Sequence, residues 1–167
     1  FQPGPTNALP ALAPDSAFTA SMMVPETDDA TTGYSPVFRY PWAQAAAAVS
    51  SAPAGRDGAR RVRYANPRNG GPVMALLDCW LVEIAPGMET APFRTTASSV
   101  CAVAEGTGVS GIGGDEIVWA ARDVFSMPSG SWIKHRANAG RVRLFVVSDR
   151  EVLRKLDLLK EEYEGAA

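Results

Sequence analysis

The sequence has one histidine, two cysteines and no surplus of either charge: 16 Lys and Arg stand against 18 Asp and Glu. Each shortage removes a class of function. One imidazole cannot build a three-histidine metal centre. A net charge of −2 leaves no electrostatic footprint for nucleic acid or an anionic membrane. No apolar run approaches the roughly 18 residues that a membrane-spanning helix needs. Cys79 and Cys101 lie in apolar company (DCWLV and SVCAVA) without C-x-x-C spacing, so they read as reduced core thiols. The opening FQPGPTNALP has neither the basic nor the apolar region of a signal peptide, which makes the cytoplasm the expected compartment. The chain starts at Phe1 rather than Met and so reads as either a processed product or a segment of something longer.

What is present is enough for one domain: 167 residues, 46% hydrophobic and 20% charged. Residues 1–37 hold six of the 13 prolines, four acids and no Lys or Arg. Such composition buries too little apolar surface to fold alone and predicts a linker or extended segment. Its apolar pieces, Phe18 and Met22–Val24, either lie along a neighbouring surface or stay disordered. The domain itself is expected over 38–163.

Pro41 followed by WAQAAAAVSS predicts a short helix with proline in its first turn. RRVRY alternates as a strand does. From Val73 onward, VMALLDCWLVEI, SSVCAVAEG, GVSGI, EIVWA, DVFSM, SWIKHRA and RVRLFVVS are short β-type runs separated by Gly, Pro, Asn and Asp turns. Their spacing predicts an all-β sandwich or barrel rather than β-α-β units. At the end, Ser148 and Glu151 have capping-box spacing. Val152, Leu153, Leu156 and Leu159 form an apolar stripe, which predicts a C-terminal helix through SDREVLRKLDLLKEEYEG.

Chemistry-bearing residues are sparse. Asp78 and Glu83 are five apart in one strand-like run, hence on opposite faces, and cannot form an acid/base pair. Thr95, Ser98 and Ser99 have no histidine at a spacing that suggests a nucleophile. Arg60, Arg61 and Arg63 read as a basic strand face too small for nucleic acid. Trp80, Trp119 and Trp132 read as core or interface residues. Arg94 and His135 are candidates for a carboxylate-binding pair at a barrel mouth, with a salt bridge or solvated edge as the alternative.

The stretch Gly87–Gly108, GMETAPFRTTASSVCAVAEGTG, carries a glycine frame, and Pro128-Ser129-Gly130 follows downstream. In this the chain resembles the cupins, small jelly-roll barrels whose two motifs run G-x5-H-x-H-x3-E-x6-G and P-x-G-x2-H. The glycines match. The histidine places of the first motif hold Phe93 and Thr95, the glutamate place holds Ser99, and the histidine place of the second motif holds Ile133. His135 stands two residues further on.

FRYPWAQ, RYANPRNGGPVM, APGMETAPFRTT, VCAVAEGTG, ARDVFSMPSGSW and LFVVSDREVLRKLDLLKEE, in this order, further resemble the C-terminal half of gentisate 1,2-dioxygenase and its salicylate and 1-hydroxy-2-naphthoate relatives. The chain departs from that pattern at Ala75 and Leu76 and over Gly130–Lys134.

The resemblance implies an all-β cupin barrel with a Pro-rich N-terminal segment, a short N-terminal helix and a C-terminal helix. It implies a two-barrel parent that uses Fe(II) and O2 to open an aromatic ring. The iron would be held in an N-terminal barrel, with no cofactor and no catalytic residue in this chain. On that basis the expected function is a non-catalytic, metal-free C-terminal barrel that packs and assembles, as a homo-oligomer or with an N-terminal cupin half. Two alternatives remain open. One is a stand-alone cupin acting as a small-ligand or oligomerisation module, with Arg94, Thr95 and His135 lining a pocket. The other is a metal-free isomerase using His135 as base.

Overall fold

A computed structural model describes residues 35–164. Among them the chain forms helix α1 (Trp42–Ser51), strands β1 (Arg60–Arg63), β2 (Asp78–Ile84), β3 (Phe93–Thr95), β4 (Ser99–Glu105), β5 (Thr107–Ile112), β6 (Asp115–Ala120), β7 (Val124–Met127), β8 (Ile133–Ala137) and β9 (Val142–Ser148), then helix α2 (Arg150–Lys155) and strand β10 (Glu161–Tyr163). The strands make two antiparallel five-stranded sheets, in the orders β1-β2-β9-β4-β7 and β10-β3-β8-β5-β6. Short strands joined by glycine-rich turns and crossing between two facing sheets form the all-β barrel that the turn spacing predicts, the jelly roll that the cupin resemblance implies. Except for Ser35, Pro36 and Val37, which are buried, the Pro-rich segment over 1–37 lies outside the described residues, as do Phe18 and Met22–Val24. Among the described residues no helix is long and apolar enough to cross a membrane.

The inner faces follow from period-2 alternation. One end of the barrel is a dry core around Ile84, Cys101, Val103, Trp119, Val142 and Leu144. Gly106 closes the β4–β5 corner there at φ +91°, where an added Cβ would lie 2.5 Å from the Arg141 carbonyl oxygen and 2.8 Å from Val142 Cγ2. Only glycine fits both the dihedral and the space. This is why the glycine frame persists even where the residues between its glycines have changed.

Helix α1 packs outside the first sheet, with Val49 fully buried. Ser50 Oγ donates to Glu83 Oε2 at 2.8 Å, and Arg143 Nε donates to the same oxygen at 3.0 Å.

Several boundaries differ from the sequence expectations. Residues 73–77 form bends, with Met74 and Leu76 half or more exposed, and the strand starts only at Asp78. The C-terminal helix is one and a half turns long, not the full SDREVLRKLDLLKEEYEG. Asp149 is its N-cap, and Ser148 Oγ accepts from the Arg150 N–H while donating to the Ser98 carbonyl, so no capping box forms. Glu151 is fully buried instead, held by Arg63 and Arg154. The chain leaves the helix through Asp157 at φ 57°; of the predicted apolar stripe Leu156 stays exposed, while Val152, Leu153 and Leu159 are partly buried. Thr96 Oγ1 donates to the Leu158 carbonyl and accepts from the Lys160 N–H, both at 2.9 Å. These bonds steer the EEY residues into β10, which pairs with β3.

Candidate functional site

Between the two sheets, bordering the dry core, lies a cavity of ≈ 340 Å³. Strand register explains what lines it. Across the first sheet, Asp78 pairs with Ser148, which pairs with Ser99, which pairs with Met127. All four face inward and line the cavity. Two residues along each strand, the row Arg63, Trp80 and Val146 does the same, and then Arg61, Val82 and Leu144. From the second sheet come Phe93 and Thr95 on β3, Ile133 and His135 on β8, and Glu161 and Tyr163 on β10.

The four places where the cupin pattern has metal ligands, Phe93, Thr95, Ser99 and Ile133, therefore converge on one cavity. Their chemistry does not fit iron. Phenyl and sec-butyl groups cannot coordinate, and hydroxyls are weak neutral donors. Among the described residues no group of three or more His, Cys, Asp and Glu is placed to hold a metal ion. The two carboxylates of the Gly87–Gly108 stretch are turned to other uses: Glu89 pairs with Lys134 at 3.0 Å, and Glu105 with Arg143 at 2.7 Å.

His135 is surrounded by protein yet only half-buried, because its ring opens on the cavity. Its Nδ1 lies 2.6 Å from Ser110 Oγ, the residue beside it in register on β5. Trp119 Nε1–H donates to that same oxygen at 2.8 Å. Ser110 is fully buried, so its own proton goes to the acceptor in reach, Nδ1. The imidazole is thereby set as the Nε2–H tautomer, with a donor left for the cavity. Burial, and then the Arg61 guanidinium, pull its pKa down to about 4, with Asp57 opposing. An imidazole that weak is a poor general base at neutral pH, which counts against the isomerase reading.

Thr95 and His135 both line the cavity, and Arg94 is not among its lining residues. The Arg94 side chain leaves the barrel, pairs with Glu162 and lies 4.7 Å from the centroid of the Trp132 ring. Alternation along β3 places it on the opposite face from Phe93 and Thr95.

The cavity also gathers charges that sequence reasoning did not assemble. Arg61 pairs with Asp57. Arg63 Nε donates to Asp78 Oδ1 at 2.6 Å, and its Nη2 donates to Glu151 Oε1 at 3.0 Å. Arg150 donates to both oxygens of Glu161, at 2.9 and 3.1 Å, and its Nη1 lies 3.7 Å from Asp78 Oδ2. That Asp78 oxygen has no hydrogen-bond partner. Arg61 and Arg63 were legible in part: they are two apart in RRVRY, so they share a face, while Arg60 points the other way and bonds the Ser50 carbonyl. Asp57, Arg150, Glu161 and Tyr163 come from a turn, a helix start and a three-residue strand, which carry no periodic signal.

No family model matches the sequence. Among curated proteins, 5-aminosalicylate 1,2-dioxygenase of Comamonas sp. is 33% identical over 136 residues, covering 78% of this chain and 36% of that protein. 1-Hydroxy-2-naphthoate 1,2-dioxygenase of Nocardioides sp. (strain KP7) is 34% identical over 135 residues, covering 76% and 34%. The chain therefore spans about a third of the length of these relatives. Among solved structures, salicylate 1,2-dioxygenase of Pseudoaminobacter salicylatoxidans superposes with a TM-score of 0.76 at 27% identity, over 95% of this chain and 42% of that one. With the jelly roll, the glycine frame and these matches in agreement, the chain is a cupin barrel belonging to the gentisate 1,2-dioxygenase family.

Proposed function

We propose that this chain is the non-catalytic, metal-free C-terminal barrel of a gentisate 1,2-dioxygenase-like, aromatic ring-cleaving enzyme. The observation that carries the reading is the convergence of Phe93, Thr95, Ser99 and Ile133 on one cavity without an imidazole or carboxylate among them. The frame of a metal site is intact and its donor set is not. Fe(II) and the ring-opening chemistry then belong to an N-terminal cupin half. The barrel described here contributes packing and assembly, as part of a homo-oligomer. A chain that spans about a third of its relatives is consistent with one barrel of two.

The test is direct. The purified chain is offered Fe(II) without oxygen, desalted, and its metal content measured. Retention well below one iron per chain is expected, and about one tightly held iron per chain overturns the metal-free reading. The intact mass of the natural gene product tests the parent separately. A mass near twice 17.7 kDa or more supports a two-barrel enzyme, and a mass near 17.7 kDa leaves a stand-alone cupin.

A further inference from the structure

We propose that the barrel cavity is a binding site for a small uncharged molecule with an apolar body and an oxygen acceptor, oriented by the Nε2–H of His135. The inference concerns only the interior of this barrel and holds whichever parent protein carries it.

Three features lead there. The first is shape: ≈ 340 Å³ lies at the small end of ligand cavities, which run from about 300 to 1,000 Å³. Much of the wall is apolar, with Trp80, Met127, Leu144 and Val146 from one sheet and Phe93 and Ile133 from the other. A barrel needed only for packing gains by filling such a space, because empty volume forfeits dispersion contacts.

The second is charge. Three guanidinium groups (Arg61, Arg63, Arg150) and three carboxylates (Asp57, Asp78, Glu161) line the cavity, so its formal charge is zero. Each guanidinium already holds a carboxylate. An entering anion would compete with those partners and still lose its hydration. A neutral molecule pays neither cost.

The third is the balance of donors and acceptors. Asp57 Oδ1 takes both the Ala59 N–H and Arg61, and Glu161 is occupied at both oxygens by Arg150. The Ser110–Trp119 pair, by contrast, spends Nδ1 of His135 and presents Nε2–H inward. Tyr163, Thr95 and Ser99 add hydroxyls to the same wall. Asp78 Oδ2 also stays without a hydrogen bond, an acceptor 3.7 Å from Arg150 Nη1. Away from that ion pair the cavity offers donors to an oxygen and has apolar surface for the body that carries it.

His135 is the sole histidine of the chain, so a long-range 1H–15N spectrum contains one imidazole. The spectrum should show the Nε2–H tautomer. Titration with cyclohexanone should shift Nε2 saturably, while cyclohexanecarboxylate, with the same ring and a charge, should bind at least about tenfold more weakly. His135→Phe removes the donor and keeps a ring; followed on backbone amides of β2 and β8, it should weaken cyclohexanone by about tenfold, the worth of one hydrogen bond. Ser99→Leu, which fills the cavity from the facing sheet, should abolish the binding and serves if His135→Phe does not fold. A protonated Nδ1, no saturable shift with the ketone (a cavity holding water only), or equal binding of the carboxylate overturns the proposal.

Discussion

Strand β2 carries two buried carboxylates, Asp78 toward the cavity and Glu83 beneath helix α1. Their surroundings differ in a way that separates structure from site. Glu83 gathers its donors on one oxygen: Ser50 and Arg143 both donate to Oε2, Arg141 lies 3.8 Å from it, and the Arg143 guanidinium continues to Glu105. Burial raises its pKa, but the bonds from Ser50 and Arg143 outweigh that, and the group stays ionised below the usual carboxylate range. Asp78, just as buried, bonds Arg63 through one oxygen and leaves the other without a hydrogen bond. One carboxylate is a staple between helix and sheet. The other, in the wall of a cavity, is ion-paired with Arg63 and Arg150 but keeps one buried oxygen without a hydrogen bond, which is uncommon for a group that serves packing alone.

The largest expected effect breaks the staple. Glu83→Ala removes the acceptor shared by Ser50 and Arg143 and leaves the buried Arg143 guanidinium only the partly exposed Glu105 as its ion partner. It should cost about 3–5 kcal/mol of unfolding free energy, measured by urea denaturation. A cost below about 1 kcal/mol would mean that α1 is held by Val49 and packing alone.

Next is the pH response of the cavity. His135 titrates near 4 when folded and near 6.5 when unfolded. Between those values the unfolded state binds the extra proton, so stability falls as pH drops. The loss should amount to about 3 kcal/mol from pH 7 to pH 4, and His135→Gln should remove that slope. Glu151, whose carboxyl is held low by Arg154 despite burial, adds a loss only at more acid pH, as its ordinary range is crossed. An equal slope in His135→Gln and the parent chain would assign the acid sensitivity to carboxylates.

The smallest is at Asp78. Asp78→Asn keeps the shape and an acceptor for Arg63, and Arg63 and Arg150 retain Glu151 and Glu161. The expected cost is about 1–2 kcal/mol, that of a weakened hydrogen bond to a charged group, well under that of Glu83→Ala. If Asp78→Asn proves the costlier change, Asp78 is the staple and the contrast drawn from β2 is reversed.

Much of the barrel was legible because its signals are local. Apolar β-type runs such as DCWLVEI and RVRLFVVS, bounded by glycine and Pro-Ser-Gly turns, mark strands buried on both faces. The glycine spacing from Gly87 to Gly106 reports corners that only glycine can turn. At the C-terminus the same logic found a helix, at Arg150–Lys155, but ran it too far. Val152, Leu153, Leu156 and Leu159 have helical spacing, but spacing is silent on whether a surface exists to receive them. Asp157 turns the chain, and Thr96 holds the following carbonyl and amide, so β3 gains a second partner strand, β10, beside β8.

The site divides along the same line. The sequence alone determined that four ligand places of the cupin frame hold Phe93, Thr95, Ser99 and Ile133, because ligand identity is a property of the side chain and not of its placement. It also determined that Asp78 and Glu83 face opposite ways, since strand geometry has period 2. Only the tertiary structure decided that these places open on a cavity and that Arg63 and Arg150 flank Asp78. It alone sent Arg94 outward to Glu162 and Trp132, and bonded His135 Nδ1 to Ser110 so that Nε2 faces inward. Those outcomes depend on which strands pair and in which register. Register is set by side chains far apart in the chain, such as Arg63 against Glu151, 88 residues on.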